Sequence, residues 1–456
     1  MDTNDVVNEE EVWDILTRTN NPSEGQVADV LATARAKEGL SLTDVGVLLN
    51  THNPNLIDRM FEVSGNIKQE IYGERLVLFA PLYLSSFCVN DCDYCGFHAR
   101  NPEPRKKLTL EEVAEQVKHL IDMGHKRLLL EFGEHPRLSP IDYVIDVINT
   151  VYATTSQSGE IRRVNVNLAA TTVEDYKKLK KAGIGTYQLF QETYHQATYS
   201  RVHHGPKADY ERQLFAHDRA IAAGLDDVGL GVLYGLFDHR FDTLSLVAHA
   251  QYLDRKFRIG PHTISVPRIQ PAPTAEIDPR YTVSDVEFLK VISILRMAVP
   301  YTGMIISTRE SAEMRAKAFE IGISQASAAS RTSPGGYGRP QELQQFATQD
   351  HRPLDEVVRS ILNQGLVPSF CTACYRTGRT GERIMSLLKS GEIHTLCRPN
   401  ALLTFKEYLE DYASVNARTE GNAVIEAYLL AMPSPLQKET RTRLGRIEDG
   451  ERDLYF

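Results

Sequence analysis

Three cysteines lie close together in the segment FCVNDCDYCGF, which spans positions 87–97. Cys88, Cys92 and Cys95 have the spacing Cys-x3-Cys-x2-Cys. Thiolates this close together predict a metal or iron–sulfur site, although most metal sites have a fourth protein ligand. A zinc site completed by His98 is the alternative, but this spacing is unusual for zinc.

The other three cysteines of the chain form a second group, Cys371, Cys374 and Cys397. Cysteines that serve only as small core residues would be scattered along the chain. A reducing cytosol also disfavours disulfides. The two groups therefore predict two metal sites, with buried or unreactive thiols as the alternative.

Composition and charge exclude several classes of function. The 456 residues are 42% hydrophobic and 24% charged, as in an ordinary globular protein. A net charge of −9 shows no basic excess, so we expect no nucleic-acid partner. No apolar run is long enough to span a membrane, and the acidic N-terminus does not resemble a signal or transit peptide. We expect a cytoplasmic protein without a membrane partner.

Apolar runs alternate with amphipathic segments in the middle of the chain, and many of the predicted helices end at glycine. This alternation favours parallel strand pairing, and eight units favour an α/β fold with a (β/α)8 TIM-type barrel. An open doubly wound sheet is the alternative. The predicted strands are 76–85, 127–132, 163–169, 186–192, 227–235, 263–269, 303–310 and 323–330.

The regions on either side of the predicted barrel have helical patterns. Residues 1–72 predict an N-terminal helical extension, and residues 73–345 contain the barrel. Residues 346–456 predict a small α-helical C-terminal domain with no further strand, and this domain carries the second group of cysteines.

A barrel would gather many of the candidate residues at one mouth, because catalytic groups of this fold lie at the C-terminal ends of its strands. The residues that follow or end predicted strands are Cys88, Cys92, Cys95, Gly133, Glu134, Gln191, Glu192, Ser307 and Arg309. His262 precedes the sixth predicted strand and would lie at the opposite mouth. There it is either a capping or packing histidine or, if the second group of cysteines reaches this mouth, part of a second metal centre.

The first group of cysteines, with Tyr94 before its last member, resembles the signature of the radical S-adenosylmethionine (SAM) superfamily. The resemblance implies a barrel of the radical SAM type, a 4Fe-4S cluster on the three cysteines and S-adenosyl-L-methionine on the open iron. The segment FGE at 132–134 resembles the GGE element of the family, with Phe132 in place of the first glycine.

By this resemblance Gly133 and Glu134 would bind SAM, with the Glu134 carboxylate accepting a hydrogen bond from its amino group. Tyr94 would approach the adenine, and Gln191 and Glu192 are further candidates for SAM contacts. The alternative for Glu134 is a solvated carboxylate in a loop.

Motifs across the whole barrel resemble the aromatic amino acid lyases of this superfamily, which cleave the Cα–Cβ bond of tyrosine or tryptophan. The motifs are CDYCGF (92–97), QLFQETYH (188–195), HGPKADYERQL (204–214), GPHTISVPR (260–268), STRES (307–311) and SRTSPGGY (330–337). The second group of cysteines has the spacing Cys-x2-Cys-x22-Cys. This spacing is similar to the C-terminal motif of the tyrosine lyases that mature FeFe-hydrogenase. The 2-iminoacetate synthases of thiamine thiazole biosynthesis have motifs similar to those of the barrel, but they lack this cysteine spacing.

The resemblance implies a reaction in two stages. L-tyrosine would lose a hydrogen from its amino group and then break its Cα–Cβ bond to give p-cresol and dehydroglycine. The glycine fragment would pass through the barrel to an auxiliary 4Fe-4S cluster with an additional iron, held by Cys371, Cys374 and Cys397. There it would become CO and cyanide for the FeFe-hydrogenase H-cluster. His262 matches the histidine that binds the additional iron in that family.

The partners implied are an electron donor such as a ferredoxin or flavodoxin and a hydrogenase-maturation scaffold protein. The tyrosine carboxylate also needs a cationic partner when it is buried, and a guanidinium offers two parallel hydrogen bonds. Arg309, assisted by Ser307, is the predicted partner, with a structural ion pair to Glu310 or another acid as the alternative.

Two other functions stay open. One is a 2-iminoacetate synthase with an incidental second cluster, and the other is a non-catalytic iron–sulfur scaffold. Glu134 and Arg309 favour an enzyme, because a scaffold has no use for a SAM pocket or a carboxylate clamp.

Overall fold

The computed structural model describes residues 2–157, 159–339, 343–389 and 393–456. In the described part of the chain, a 3-10 helix (Thr3–Asp5) and four α-helices come before the first strand. Serine side chains with reciprocal hydrogen bonds cap two of the α-helices, at Ser23 and Ser41. The fourth helix packs against the outside of the barrel. These helices are α1 (Glu9–Arg18), α2 (Glu24–Ala34), α3 (Leu42–Leu49) and α4 (Pro54–Tyr72).

Eight parallel strands form a closed barrel, in which each strand pairs with the next one along the chain. The last of them pairs back onto the first, with Ala326 opposite Leu78. This confirms the (β/α)8 barrel, because an open sheet would leave those two edges unpaired. The barrel strands are β1 (Arg75–Ser85), β2 (Arg127–Phe132), β5 (Arg163–Asn167), β6 (Tyr187–Gln188), β7 (Val228–Gly231), β8 (Thr263–Ser265), β9 (Gly303–Ile306) and β10 (Gln325–Ser327), and a short hairpin, β3 (Thr155–Ser156) and β4 (Gly159–Glu160), lies between β2 and β5.

Most strands are shorter at their C-terminal ends than the apolar runs predict. The run at 186–192 gives a two-residue strand, although single hydrogen bonds from Leu189 and Gln191 continue towards the neighbouring strand. The residues that follow the regular strands form loops at the C-terminal mouth. Their side chains, such as those of Glu192 and Arg309, line the cavity there.

The helices that follow the strands cover the outside of the barrel. Thr109 and Ser311 begin two of them as N-caps, as their residue types predict. These helices are α5 (Leu110–Asp122), α6 (Ile141–Ala153), α7 (Val173–Lys181), α8 (Gln196–Val202), α9 (Tyr210–Leu214), α10 (Ala216–Ala222), α11 (His239–Phe257), α12 (Asp285–Ala298) and α13 (Ala312–Ile321).

The C-terminal region is helical, as predicted, but it also contains one strand. The expectation of no strand after residue 345 is wrong for β11 (Val367–Ser369), which pairs in parallel with β1. β1 is eleven residues long, and its first residues would otherwise present a free edge there. The helices are α14 (Leu354–Leu362), α15 (Ala373–Arg376), α16 (Gly381–Lys389), α17 (Ile393–Asp411), α18 (Val415–Leu430) and α19 (Ser434–Glu448).

An apolar cluster lies inside the barrel, formed by Phe79, Leu129 and Ile305. These side chains line the floor of the cavity at the C-terminal mouth. No helix in the described part of the chain is long and apolar enough to cross a membrane. The boundaries predicted at 72/73 and 345/346 stay predictions.

Candidate sites at the two mouths of the barrel

The first group of cysteines lies in the loop that leaves β1 at the C-terminal mouth. All three are free thiols, and Cys92 is buried. Backbone hydrogen bonds fix the loop to neighbouring segments: Val89 donates to the Glu134 carbonyl at 2.8 Å, and Gly96 donates to the Gln345 carbonyl at 2.9 Å. These bonds tie the loop to the segments around Glu134 and Gln345.

Burial raises the pKa of these thiols, and that of Cys95 reaches about 11. At neutral pH a thiol of this kind stays protonated unless a positive centre replaces its proton. Three such thiols on one rigid loop are a donor set suited to an iron–sulfur cluster. Within the described residues, no three His, Cys, Asp or Glu side chains converge closely enough to hold a single metal ion. A cubane instead distributes its thiolates over three irons.

His98, the fourth ligand of the zinc alternative, is occupied elsewhere. Its Nδ1 forms a 2.8 Å hydrogen bond with Asp91, and its Nε2 forms a 2.7 Å hydrogen bond with the Thr274 hydroxyl. Both ring nitrogens therefore have partners inside the loop region, and the histidine helps to hold the loop rather than to close a zinc site.

Glu134 directly follows β2 and is paired rather than solvated. Its carboxylate accepts hydrogen bonds of 2.6 Å from Asn90 and from Arg212. At the neighbouring Gly133 a Cβ would collide with the backbone carbonyl of Phe87, so only glycine lets the two loops approach. Phe132 points away from the cavity against Tyr143, which explains why a large residue fits at the first position of the GGE-like element.

The two residues predicted at the end of the fourth barrel strand point in different directions. Glu192 has a left-handed backbone conformation, with φ of 69°, and forms a 2.7 Å ion pair with Lys207. It lines the cavity, as does Tyr94, whose hydroxyl is 2.8 Å from Nε2 of His203. Gln191 is buried and does not line this cavity.

Arg309 lies in the same cavity, which has a volume of about 910 Å³. Its guanidinium lies 3.2 Å from the centre of the Phe346 ring, and no carboxylate pairs with it among the described residues. Glu310 pairs with Arg268 instead, and its Oε1 lies 3.0 Å from Nε of Arg268. The alternative of an Arg309–Glu310 ion pair is therefore not realised. Ser307 lines the cavity beside Arg309.

The second group of cysteines lies at the N-terminal mouth, in a cavity of about 600 Å³. Cys371 lies at this mouth because it comes two positions after Ser369, the last residue of β11. Cys374 lies in α15, and Cys397 lies in α17. His262 lines the same cavity. The structure thus brings together the four residues that are predicted to form a second metal centre.

A hydrogen-bond network holds His262 in place. Its Nδ1 donates to Oδ2 of Asp227 at 2.6 Å, and the Tyr375 hydroxyl donates to the same oxygen. Nε2 has no hydrogen-bond partner among the described residues. A histidine that is fixed through one nitrogen by a carboxylate presents the other nitrogen in the manner typical of metal ligands.

Two arginines lie beside the second group of cysteines, of which Arg127 is buried and Arg75 is partly buried. Arg75 and Arg127 line the cavity, and burial with neighbouring thiols raises the pKa of Cys397 to about 12 and that of Cys371 above its ordinary value. The positive charges of these arginines favour the thiolate form and would offset the negative charge of a thiolate-ligated cluster. The donor set therefore fits an iron–sulfur cluster.

Several residues of the two sites are not among those that the sequence predicts. Lys207 and Arg212 lie in the HGPKADYERQL motif, so their types and position offered a signal. Asp227 and Tyr375 had none, because their relevance depends on contacts with His262 across more than thirty residues of chain.

Comparison with known proteins places this geometry in a family. Residues 82–247 match the radical SAM superfamily, and residues 265–367 match the biotin and thiamin synthesis associated domain. A solved structure of HydG, a maturase of the FeFe-hydrogenase, is 52% identical with a TM-score of 0.97, covering 99% of this chain and 100% of that one. The chain belongs to the HydG family of radical SAM enzymes.

Two other relatives support this placement. The FeFe-hydrogenase maturase HydG from Carboxydothermus hydrogenoformans is 39% identical with a TM-score of 0.87, over 97% of this chain and 99% of that one. The 2-iminoacetate synthase of Escherichia coli strain K12 is 32% identical over 376 residues, which cover 82% of this chain and 97% of that protein. Membership of the radical SAM superfamily implies a 4Fe-4S cluster and SAM as cofactors.

Proposed function

We propose that this HydG-family enzyme is a tyrosine lyase that cleaves L-tyrosine to p-cresol and dehydroglycine. It then forms CO and cyanide from the glycine fragment for assembly of the FeFe-hydrogenase H-cluster. One observation carries the proposal. Two cavities lie at opposite mouths of one barrel. The first contains Cys95 and Arg309, which has no ion-pair partner among the described residues, and the second contains Cys371, Cys374, Cys397 and His262.

At the first mouth, Cys88, Cys92 and Cys95 hold the 4Fe-4S cluster, and Glu134 and Glu192 contact SAM. When bound, the cluster and SAM supply a 5′-deoxyadenosyl radical that abstracts a hydrogen atom. The contribution of the protein is ligation, orientation and exclusion of water. Gln345 and Phe346 line the cavity, and the Gly96–Gln345 hydrogen bond ties their segment to the loop that carries the first group of cysteines.

Arg309 binds the tyrosine carboxylate through two parallel hydrogen bonds. It suits this role because it is partly buried without an anionic partner among the described residues, and a desolvated cation gains stability when an anion pairs with it. Burial lowers the pKa of Arg309, so the incoming carboxylate relieves an existing cost. Ser307 offers a hydroxyl beside it.

At the second mouth, Cys371, Cys374 and Cys397 hold the auxiliary 4Fe-4S cluster, and His262 binds the additional iron through Nε2. When bound, this centre supplies the metal chemistry that turns the glycine fragment into CO and cyanide. Asp227 fixes the tautomer and the orientation of the His262 ring. The apolar cluster of the barrel lies on the path between the two mouths.

A 2-iminoacetate synthase is the second candidate function, and the Escherichia coli relative favours it. The joint placement of His262 and the second group of cysteines in one cavity favours the lyase that makes CO, because a 2-iminoacetate synthase needs no second centre. The six cysteines alone would suit an iron–sulfur scaffold, but such a protein needs neither Arg309 nor Glu134.

The test is anaerobic turnover of the reconstituted enzyme with tyrosine, SAM and a reductant, with p-cresol and CO measured together. The proposal expects both products. The Cys371→Ser, Cys374→Ser variant is the matched control and should make p-cresol at the wild-type rate but no CO. Loss of p-cresol in this variant would contradict two separable sites. p-Cresol without CO from the wild type would favour the 2-iminoacetate synthase.

The cellular setting follows from the same proposal. A ferredoxin or flavodoxin supplies electrons to the first cluster, and a hydrogenase-maturation scaffold protein receives the product, both in the cytoplasm. Reduction of the cluster by a purified flavodoxin in place of a chemical reductant would test the first of these partners.

A further inference from the structure

A row of polar side chains crosses the inner wall of the first cavity. Tyr83, Glu131, Asn167 and Gln188 lie in register on four neighbouring strands, and all four line the cavity. They lie beside the apolar cluster that forms its floor. In-register residues of neighbouring strands that point inward face the same space.

Glu131 is the unusual member of this row. No Lys or Arg in the described chain forms an ion pair with it, although Asn167 on the adjacent strand is a hydrogen-bonding neighbour. Burial raises the pKa of Glu131 to about 8. The other acid of the cavity, Glu192, already has Lys207 at 2.7 Å. Glu131 is therefore the lining acid that lacks a counter-ion.

Arg309 is the matching cation of the same cavity, and no Asp or Glu in the described ranges forms an ion pair with it. The two side chains are near enough for each to influence the pKa of the other, yet they do not form an ion pair. With its raised pKa, Glu131 is mostly protonated at neutral pH, and an ammonium group beside it would favour the carboxylate form. A cation and an acid without ion-pair partners in a single cavity are therefore complementary to a zwitterion. Any free α-amino acid carries this pair of charges on adjacent groups.

We propose that Glu131 is a substrate-binding residue that accepts hydrogen bonds from the α-ammonium group of the amino acid whose carboxylate binds Arg309. This inference deepens the proposed function, since it rests on tyrosine as the substrate. Asn167, in register on one adjacent strand, hydrogen-bonds the Glu131 carboxyl, and Tyr83 lies in register on the other adjacent strand. The ammonium group supplies the missing counter-ion, as the carboxylate does for Arg309.

The test is calorimetric binding to the reconstituted enzyme with SAM and no reductant, so that no turnover occurs. The probes are tyrosine and 3-(4-hydroxyphenyl)propionate, which lacks only the amino group. A hydrogen bond to a charged group predicts that Glu131→Gln weakens tyrosine binding about 10- to 100-fold. The same variant should bind the amino-free probe within about 2-fold of the wild type.

The SAM affinity of Glu131→Gln serves as the check that the variant is folded, and Glu131→Asp should restore part of the tyrosine affinity. Equal weakening for both probes would overturn the inference and assign Glu131 to the phenol or to the shape of the cavity. Unchanged tyrosine binding by the variant would overturn the role of Glu131 but leave the proposed function intact. Absence of tyrosine binding by the wild type would overturn the proposed function as well.

One comparison does not depend on the variant. Wild-type enzyme should bind tyrosine at least about 10-fold more tightly than the amino-free probe. Equal affinities for the two probes would overturn the inference even if the Glu131→Gln protein failed to fold.

Discussion

Replacement of Asp227 by Asn tests how the second cavity is built. Asp227 is buried, and burial raises its pKa, but the charges of His262 and Arg163 more than offset this effect and hold the pKa below its ordinary value. The side chain is therefore ionised at neutral pH. Its Oδ2 accepts from His262 at 2.6 Å and lies 3.4 Å from Nη2 of Arg163. Asparagine keeps the volume and removes the charge.

The larger consequence falls on Arg163, which is itself buried. Loss of one partner of a buried ion pair costs about 3–5 kcal/mol, because it leaves an unpaired charge in the interior. Arg163 keeps hydrogen bonds of 2.8 Å to Asn165 and to Thr186. We therefore expect the lower end of that range, a loss of about 3 kcal/mol in the free energy of unfolding.

The second consequence falls on His262, which loses the carboxylate that orients its ring. Loss of such a partner lowers metal affinity by about 10- to 100-fold. The additional iron should therefore be lost from the Asp227→Asn enzyme, while the first site, at the other mouth, keeps its cluster. Production of p-cresol should continue and production of CO should fall.

Two measurements check this prediction. Urea unfolding of the iron-free protein, monitored by circular dichroism, gives the change in stability. Iron content and the EPR spectrum of the reconstituted protein report the second site. His262→Ala is the matched control, because it removes the ligand but keeps the Asp227–Arg163 pair, and it should lose the iron with a smaller loss of stability. An Asp227→Asn protein as stable as the wild type, with its full iron content, would refute the reasoning.

Three further predictions follow from the first mouth. Arg309→Ala should raise the KM for tyrosine by about 100-fold with a small change in SAM cleavage, since a buried carboxylate loses its partner; an unchanged KM in a p-cresol assay would remove Arg309 from this role. Gly133→Ala should prevent cluster assembly, because the added methyl group collides with the Phe87 carbonyl, and normal absorbance of the reconstituted cluster would contradict this. Iron-free Cys95, whose pKa burial raises to about 11, should be alkylated by iodoacetamide more slowly than a free thiol at pH 8, with a rate that rises with pH until the thiol is ionised; mass spectrometry would detect early modification if this is wrong.

The order of the barrel strands and the positions of the cysteines could be predicted from the sequence. Alternating apolar and amphipathic runs are local signals, so eight strands were found at nearly their observed starts. The position of His262 before a strand also placed it at the N-terminal mouth, because parallel strands share one direction. β11 was missed because it is only three residues long and contains Pro368, which interrupts a strand pattern.

What the sequence determined by itself is the set of residue types and their spacing: two groups of three thiols, an acid after β2 and an arginine after β9. Which groups are paired was decided by the tertiary structure. Glu310 is neutralised by Arg268, and Glu134 by Arg212, whereas Arg309 and Glu131 have no ion-pair partner among the described residues. The physical reason is that ion pairs form between segments far apart in the chain, and their geometry exists only after the barrel closes.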